Sequence, residues 1–131
     1  MAALRVLVVD DNADVADSVS LLLRLWCHEP LVARDGPAAL AAATAFGPDV
    51  VILDIALPRM DGYELGRRLR KLPGQQGLTL LAMSGYGAAE YHRRSTEAGF
   101  LAHLVKPVHP PELEALLNVL AREKARRPGA P

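Results

Sequence analysis

Five polar side chains stand at the ends of short apolar runs in this sequence, and they could together handle an anionic group. They are Asp10, Asp11, Asp54, Ser84 and Lys106. Three carboxylates placed close together repel one another unless they take up protons or share a cation. Oxygen ligands without clustered His or Cys suit a hard cation such as Mg²⁺ and do not suit zinc. The serine and lysine add a donor and a positive charge, so the set predicts a phosphoryl-sized site with an aspartate as a possible nucleophile.

The segments between these residues predict the elements that position them. Strands are expected at 5–9, 30–33, 50–53, 78–83 and 101–105, and helices at 12–27, 36–48, 62–72, 88–98 and from Pro110 or Pro111 onward. Strict alternation of apolar strands with helical patterns favours an α/β fold, a doubly wound parallel sheet covered by helices on both faces. Ligands bind at the carboxyl ends of the strands in such a sheet. The five polar residues are therefore expected at one edge.

Composition narrows the class of protein. The chain has 131 residues, 50% of them hydrophobic, which fits one domain at 1–124 followed by a disordered tail or linker start at 125–131. The formal net charge is zero, and no apolar stretch approaches the roughly 20 residues of a spanning helix, so neither a nucleic-acid nor a membrane partner is expected. The single Cys27 excludes an internal disulfide. We expect a soluble, cytoplasmic protein.

The amino-acid sequences and the order of four motifs resemble those of a known family. "VLVVDDN", "VILDIALPRMDGYEL", "MSGYG" and "HLVKPV" resemble the receiver domain of two-component response regulators, over roughly residues 4–122. The resemblance implies a flavodoxin-like (βα)5 three-layer sandwich with a five-stranded sheet in the order 2-1-3-4-5. It also implies a signalling domain that catalyses only its own phosphorylation and dephosphorylation. A sensor histidine kinase or histidine phosphotransfer protein would supply the phosphoryl group, and the domain would then switch conformation.

The same resemblance implies individual roles. Asp54 would be the phosphoacceptor, and Mg²⁺, for which Mn²⁺ could substitute, would be held by Asp10, Asp11, Asp54 and the backbone carbonyl of Ala56. Ser84 and Lys106 would bind the phosphoryl group, and the bond before Pro107 would be cis. A downstream protein would dock on the face formed by the fourth helix, fifth strand and fifth helix. The domain would be a monomer or a weak phosphorylation-dependent dimer.

Three features depart from the family or stand outside its site. His103 replaces the usual Tyr or Phe, which predicts either a weak or pH-sensitive aromatic switch or a half-exposed surface imidazole. Ala56 and Tyr86 would flank the phosphoryl group, where neither is a good acid or base for water and Tyr86 could cover the site, so slow self-dephosphorylation is predicted. A basic helix face is expected to be solvated, with nucleic-acid docking as the alternative; it comprises Arg67, Arg68, Arg70 and Lys71.

Three other functions were weighed. A metal-dependent phosphatase would need a second carboxylate where Ala56 stands. A flavodoxin-like electron carrier would need a phosphate loop where "DDNADVADS" places carboxylates. A receiver-like scaffold that is never phosphorylated is compatible with the sequence. The chain would be a stand-alone receiver or a piece of a longer protein, and its motifs resemble receivers of hybrid sensor kinases.

Overall fold

Five strands alternate with five helices in the computed structural model, which describes residues 2–57, 61–75, 77–85 and 89–126. In chain order the elements are β1 (Arg5–Val9), α1 (Ala13–Leu25), β2 (Glu29–Ala33), α2 (Gly36–Phe46), β3 (Val50–Asp54), α3 (Gly62–Lys71), β4 (Thr79–Ser84), α4 (Ala89–Glu97), β5 (Ala102–Val105) and α5 (Pro110–Arg126). The strands form one parallel sheet in the order β2-β1-β3-β4-β5. The predicted fold class and strand order are confirmed.

The core lies in two layers, one on each face of the sheet. Alternate residues of a strand point to opposite faces, so Leu7 packs with the α2 and α3 side while Val8 packs with the α1 and α5 side. Every residue of β3 is buried, as expected for a central strand covered on both faces. In the described residues, no helix is both long enough and apolar enough to span a bilayer.

Two strands run one residue further than predicted. Asp54 and Ser84 are the last residues of β3 and β4, in register with Met83 and Val105 of the neighbouring strands. Both polar side chains are therefore mounted on the sheet itself rather than on a loop. α5 continues to Arg126, two residues past the predicted domain end, and 127–131 lie outside the described residues.

The end of α1 differs from the prediction, because the helix stops at Leu25 instead of continuing to Cys27. Cys27 adopts a left-handed conformation with φ of 66°. Its N–H donates to the Arg24 carbonyl at 3.0 Å, and the N–H of His28 donates to the Leu23 carbonyl at 2.8 Å. These two bonds form a Schellman motif, whose left-handed position glycine usually occupies.

Candidate functional site

The sheet brings four predicted site residues together at its carboxyl edge. Asp10 directly follows β1, Asp54 and Ser84 end β3 and β4, and Lys106 directly follows β5. The backbone ladder continues past the strands, since Asp10 N–H donates to the Ala33 carbonyl at 3.1 Å and Lys106 N–H donates to the Ser84 carbonyl at 2.8 Å. The Lys106 ammonium lies 2.8 Å from Asp10 Oδ2 and 2.9 Å from Asp54 Oδ2. One cation thus joins the acidic residue after β1 to the expected phosphoacceptor.

Both buried carboxylates are oriented by backbone donors two residues ahead. Asp10 Oδ1 accepts from the Asn12 N–H at 2.9 Å, and Asp54 Oδ1 accepts from the Ala56 N–H at 2.8 Å. The same loop geometry places Asn12 as the N-cap of α1, as predicted for Asp11 or Asn12. In each carboxylate Oδ2 lies within ion-pair distance of the Lys106 ammonium, which donates a hydrogen bond to Asp54 Oδ2.

Burial and the contact between Asp10 and Lys106 shift the pKa values of these two residues in opposite directions. Burial is the largest influence on Asp10 and raises its pKa, and the charge of Asp54 raises it further, against the lowering effects of Lys106 and the Asn12 N–H. Burial by itself would lower the pKa of Lys106, but its contacts with Asp10 and Asp54 outweigh burial and raise that pKa. The ammonium therefore stays charged, yet one lysine cannot neutralise three carboxylates.

The acidic residues fit a hard divalent cation. Asp10, Asp11 and Asp54 each offer one oxygen, and these three oxygens lie within 4.8 Å of one another. Within the described ranges, the buried Asp10 Oδ2 has no aligned hydrogen-bond donor, although Lys106 Nζ approaches it. Asp11 is exposed at the mouth of the site, where an ion could enter. An all-oxygen donor set with an open side suits Mg²⁺; the carbonyl of Ala56 as a further ligand stays a prediction.

Ser84 and His103 are in contact inside the protein. Ser84 is fully buried, and its Oγ lies 2.9 Å from His103 Nε2. His103 is only 8% exposed, so the half-exposed surface imidazole considered from sequence is wrong. His103 lies in β5 in register with Ala82 of β4, the strand that ends at Ser84. The Lys106–Pro107 bond is cis, as expected, and Tyr86 lies outside the described residues.

Sequence reasoning missed Ser95. This α4 residue is 2% exposed, and its Oγ lies 3.4 Å from His103 Nδ1. The α4 segment is polar and offers no apolar stripe that would show which side faces the sheet. The remaining signal was that a small hydroxyl residue tolerates burial better than the charged residues around it.

The basic helix face is divided between two roles. Arg67 and Arg68 are exposed and both pair with Glu64 on the same helix, which agrees with a solvated face. Arg70 instead reaches the turn after α4, where its Nη2 donates to the Gly99 carbonyl at 2.6 Å. At least one of the four basic residues therefore serves the packing of α3 against that turn.

Known proteins are similar to this chain in sequence and in fold. A family model described as the response regulator receiver domain matches residues 6–118. An uncharacterized 14.6 kDa protein of Leptolyngbya boryana is 34% identical over 118 residues, 90% of each chain. The transcriptional regulatory protein PrrA of Mycobacterium tuberculosis is 37% identical over 92% of this chain and 51% of PrrA, so the chain spans about half that relative. The solved structure of the chemotaxis protein CheY4 of Vibrio cholerae matches with a TM-score of 0.84 at 30% identity, over 91% of this chain and 99% of CheY4.

The family match covers most of the chain, and it coincides with the sheet order and with the acidic edge described above. The receiver domains that it describes are signalling domains of two-component systems. This chain belongs to the family of response regulator receiver domains.

Proposed function

We propose that this receiver domain accepts a phosphoryl group on Asp54 from a phosphohistidine of a sensor histidine kinase or a histidine phosphotransfer protein. One observation carries the proposal: Asp54 is fixed by the Ala56 N–H on Oδ1 and by the Lys106 ammonium on Oδ2, beside two further carboxylates. A carboxylate held this way is pre-oriented for in-line attack, and the neighbouring groups can balance charge.

The reaction balances with groups at this edge and on the donor. A carboxylate oxygen of Asp54 attacks phosphorus, and the phosphorus–nitrogen bond of the donor breaks with its electron pair remaining on that ring nitrogen. The other ring nitrogen of the donor carries a proton, so a neutral imidazole leaves. Mg²⁺ held by Asp10, Asp11 and Asp54 would neutralise charge on the phosphoryl oxygens. Lys106 already touches Asp54, so it meets a phosphoryl oxygen with little movement. The Ser84 hydroxyl, in the neighbouring strand, donates to another.

Phosphorylation would change the surface through charge. The phosphoryl group carries about −1.5 to −2 charges and replaces the single charge of the Asp54 carboxylate, so the edge gains up to about one negative charge beside Asp10 and Asp11. Drawing Ser84 toward that group shifts the population between two conformers of α4 and β5. Leu101, which directly precedes β5, Val105 of β5 and Val119 of α5 are exposed. These apolar side chains support the face formed by α4, β5 and α5 as the docking surface for a downstream protein or a weak dimer. Such a role implies a cytoplasmic domain.

The phosphoryl group should be lost slowly. Ala56 is exposed on the loop after β3, two residues past Asp54, and its methyl group can neither activate nor orient a water molecule. The proposal also includes Tyr86, whose side chain would cover the phosphoryl group, exclude water from it and so slow its loss. The metal-dependent phosphatase alternative is disfavoured for the same reason, since no carboxylate stands at position 56.

The test is the rate of phosphorylation by phosphoramidate, a small donor with the phosphorus–nitrogen bond of phosphohistidine, at increasing Mg²⁺. The wild-type rate should rise with Mg²⁺ and saturate, whereas Asp10→Asn should be at least tenfold slower at limiting Mg²⁺. Asp35→Asn is the matched control, because Asp35 only caps α2 and asparagine caps equally well. A rate independent of Mg²⁺, or equal rates in both variants, would refute the proposal.

A further inference from the structure

An imidazole joins the hydroxyl at the end of β4 to helix α4. His103 Nε2 lies 2.9 Å from Ser84 Oγ, and His103 Nδ1 lies 3.4 Å from Ser95 Oγ. All three side chains are buried. Both ring nitrogens are therefore engaged by hydroxyl groups, one at the phosphoryl site and one on the neighbouring helix.

Hydrogen counting restricts the direction of these bonds. A neutral imidazole has one N–H donor and one bare nitrogen acceptor, and each serine hydroxyl has a single hydrogen to donate. If Ser84 gives its hydrogen to a phosphoryl oxygen, its Oγ can meet His103 only as an acceptor. Nε2 must then carry the proton, Nδ1 must accept, and Ser95 must donate. The reverse direction would turn the Ser84 hydrogen toward the ring and away from Asp54.

We propose that Ser95 and His103 are positioning residues that aim the Ser84 hydroxyl hydrogen at the phosphoryl group. The Ser95 hydroxyl donates to Nδ1 and keeps the ring in the Nε2–H form, and Nε2–H donates to Ser84 Oγ. The inference rests on the proposed phosphorylation of Asp54. In this inference the Ser95 hydroxyl donates to a ring nitrogen of His103. A tyrosine or phenylalanine at position 103 has no ring nitrogen and would not support that role.

Contacts on both sides of Ser95 hold this part of α4 in place. The neighbouring Arg94 lies over the Tyr63 ring at 4.3 Å from its centroid and pairs with Asp61 at 3.8 Å, both at the start of α3. On the C-terminal side, beyond the end of α4, the Phe100 N–H donates to the Ser95 carbonyl at 2.9 Å. Side chain and backbone contacts on either side of Ser95 therefore limit how far its hydroxyl can move from the imidazole.

The bonds run in one direction, from Ser95 through His103 and Ser84 to the phosphoryl oxygen. Bonds aligned in this way polarise one another, so a negative charge at one end strengthens the contact at the other. A phosphoryl group on Asp54 thus strengthens the contact between β5 and α4. The position of α4 becomes coupled to phosphorylation by hydrogen bonds.

The test is a double-mutant cycle on the affinity for beryllofluoride, a phosphoryl mimic, in the presence of Mg²⁺. Ser95→Ala should weaken binding about three- to tenfold in the wild-type background, as expected for one lost hydrogen bond. It should have no further effect in Ser84→Ala, because no hydroxyl remains to be aimed. Ser95→Thr keeps a hydroxyl and should restore affinity. Ser20→Ala is the control, since Ser20 is also a buried helical serine and its hydroxyl has no partner within the described part of the chain.

The outcomes separate the two proposals. If wild type fails to bind beryllofluoride with Mg²⁺, the proposed phosphorylation of Asp54 fails and this inference fails with it. If wild type binds but Ser95→Ala acts equally in both backgrounds, only the positioning role is overturned. The ¹⁵N shifts of His103 in the beryllofluoride complex give a second readout. They should report the Nε2–H form, and an Nδ1–H ring or a doubly protonated ring would overturn the inference.

Discussion

Adding one methyl group at Gly62 would separate α3 from the strand that carries the phosphoacceptor. A Cβ at this position would fall inside contact distance of Ile55 Cα, and would lie 3.0 Å from Ile55 Cβ and 3.1 Å from the Ile55 carbonyl carbon. Ile55 directly follows Asp54, and two of these three atoms belong to its backbone. They cannot rotate away, so Gly62→Ala must displace the start of α3 or the end of β3.

The size of the effect follows from those contacts. Overpacking a well-packed site costs about 1–3 kcal/mol, and the rigid target favours the upper half of that range. The gain from replacing a helical glycine is at most about 1 kcal/mol and is smaller at the first helical position, where Gly62 stands. We expect the free energy of unfolding to fall by about 1.5–2.5 kcal/mol and Tm by about 5–10 °C. Because the displaced residues adjoin Asp54, phosphorylation should also slow.

Urea denaturation followed by circular dichroism measures this change, and Gly66→Ala on the same helix is the matched control. A Cβ on Gly66 would meet only the ends of two side chains, Phe100 Cζ at 3.0 Å and Leu80 Cδ1 at 3.1 Å. Those ends can shift, so Gly66→Ala should stay within about 1 kcal/mol of wild type. If the two variants were equally stable, the close approach of α3 to Ile55 would not be what requires glycine at position 62.

Three further substitutions probe other parts of the fold. Cys27→Gly relieves the left-handed conformation of a non-glycine residue, which costs ~1–2 kcal/mol. Glycine also makes the unfolded chain more flexible, which offsets ~0.4–1 kcal/mol of that benefit. Urea denaturation should therefore show that the free energy of unfolding rises by ~0.5–1 kcal/mol, and a fall would contradict this account. In EDTA, the stability of Asp10→Asn relative to wild type should increase as pH rises from 4 to 7. The reason is that the pKa of Asp10 is raised on folding, so its ionisation destabilises the wild-type fold. If the free energy of unfolding of the variant, relative to wild type, fell over this pH range, the account would be contradicted. Lys124→Met removes the ammonium that bonds Asp49 Oδ2 and the Ala3 carbonyl, and should lower the free energy of unfolding by about 1 kcal/mol; an unchanged value would contradict the role of this tie.

The parts of the structure that follow from local patterns were predictable from sequence. The periodicity of apolar residues predicts strands and amphipathic helices. The carboxyl ends of parallel strands lie at one edge of the sheet whatever the conformation of the loops. The convergence of Asp10, Asp54, Ser84 and Lys106 is a consequence of that topology. The strand order came from the resemblance to a family and not from periodicity.

The parts that depend on contacts between distant residues were not predictable. The inward position of His103 depends on Ser84, which is 19 residues away, and Ser95 faces the ring from a polar helix with no apolar stripe. The end of α1 was misplaced because Cys27 occupies a left-handed position where glycine is the usual signal. The contacts of His103 and Ser95 join different elements of the fold, whereas the contacts that end α1 are local and only the usual glycine signal is missing.

The most direct test of the central claim is the intact mass of the protein after incubation with acetyl phosphate, with and without Mg²⁺. Asp54→Asn is the control, since it keeps the size of the side chain and removes the nucleophile. We predict a Mg²⁺-dependent gain of one phosphoryl group in wild type and none in Asp54→Asn. A folded wild-type protein that gains no phosphoryl group, or an Asp54→Asn variant that gains one equally, would contradict the assignment of Asp54 as the phosphoacceptor.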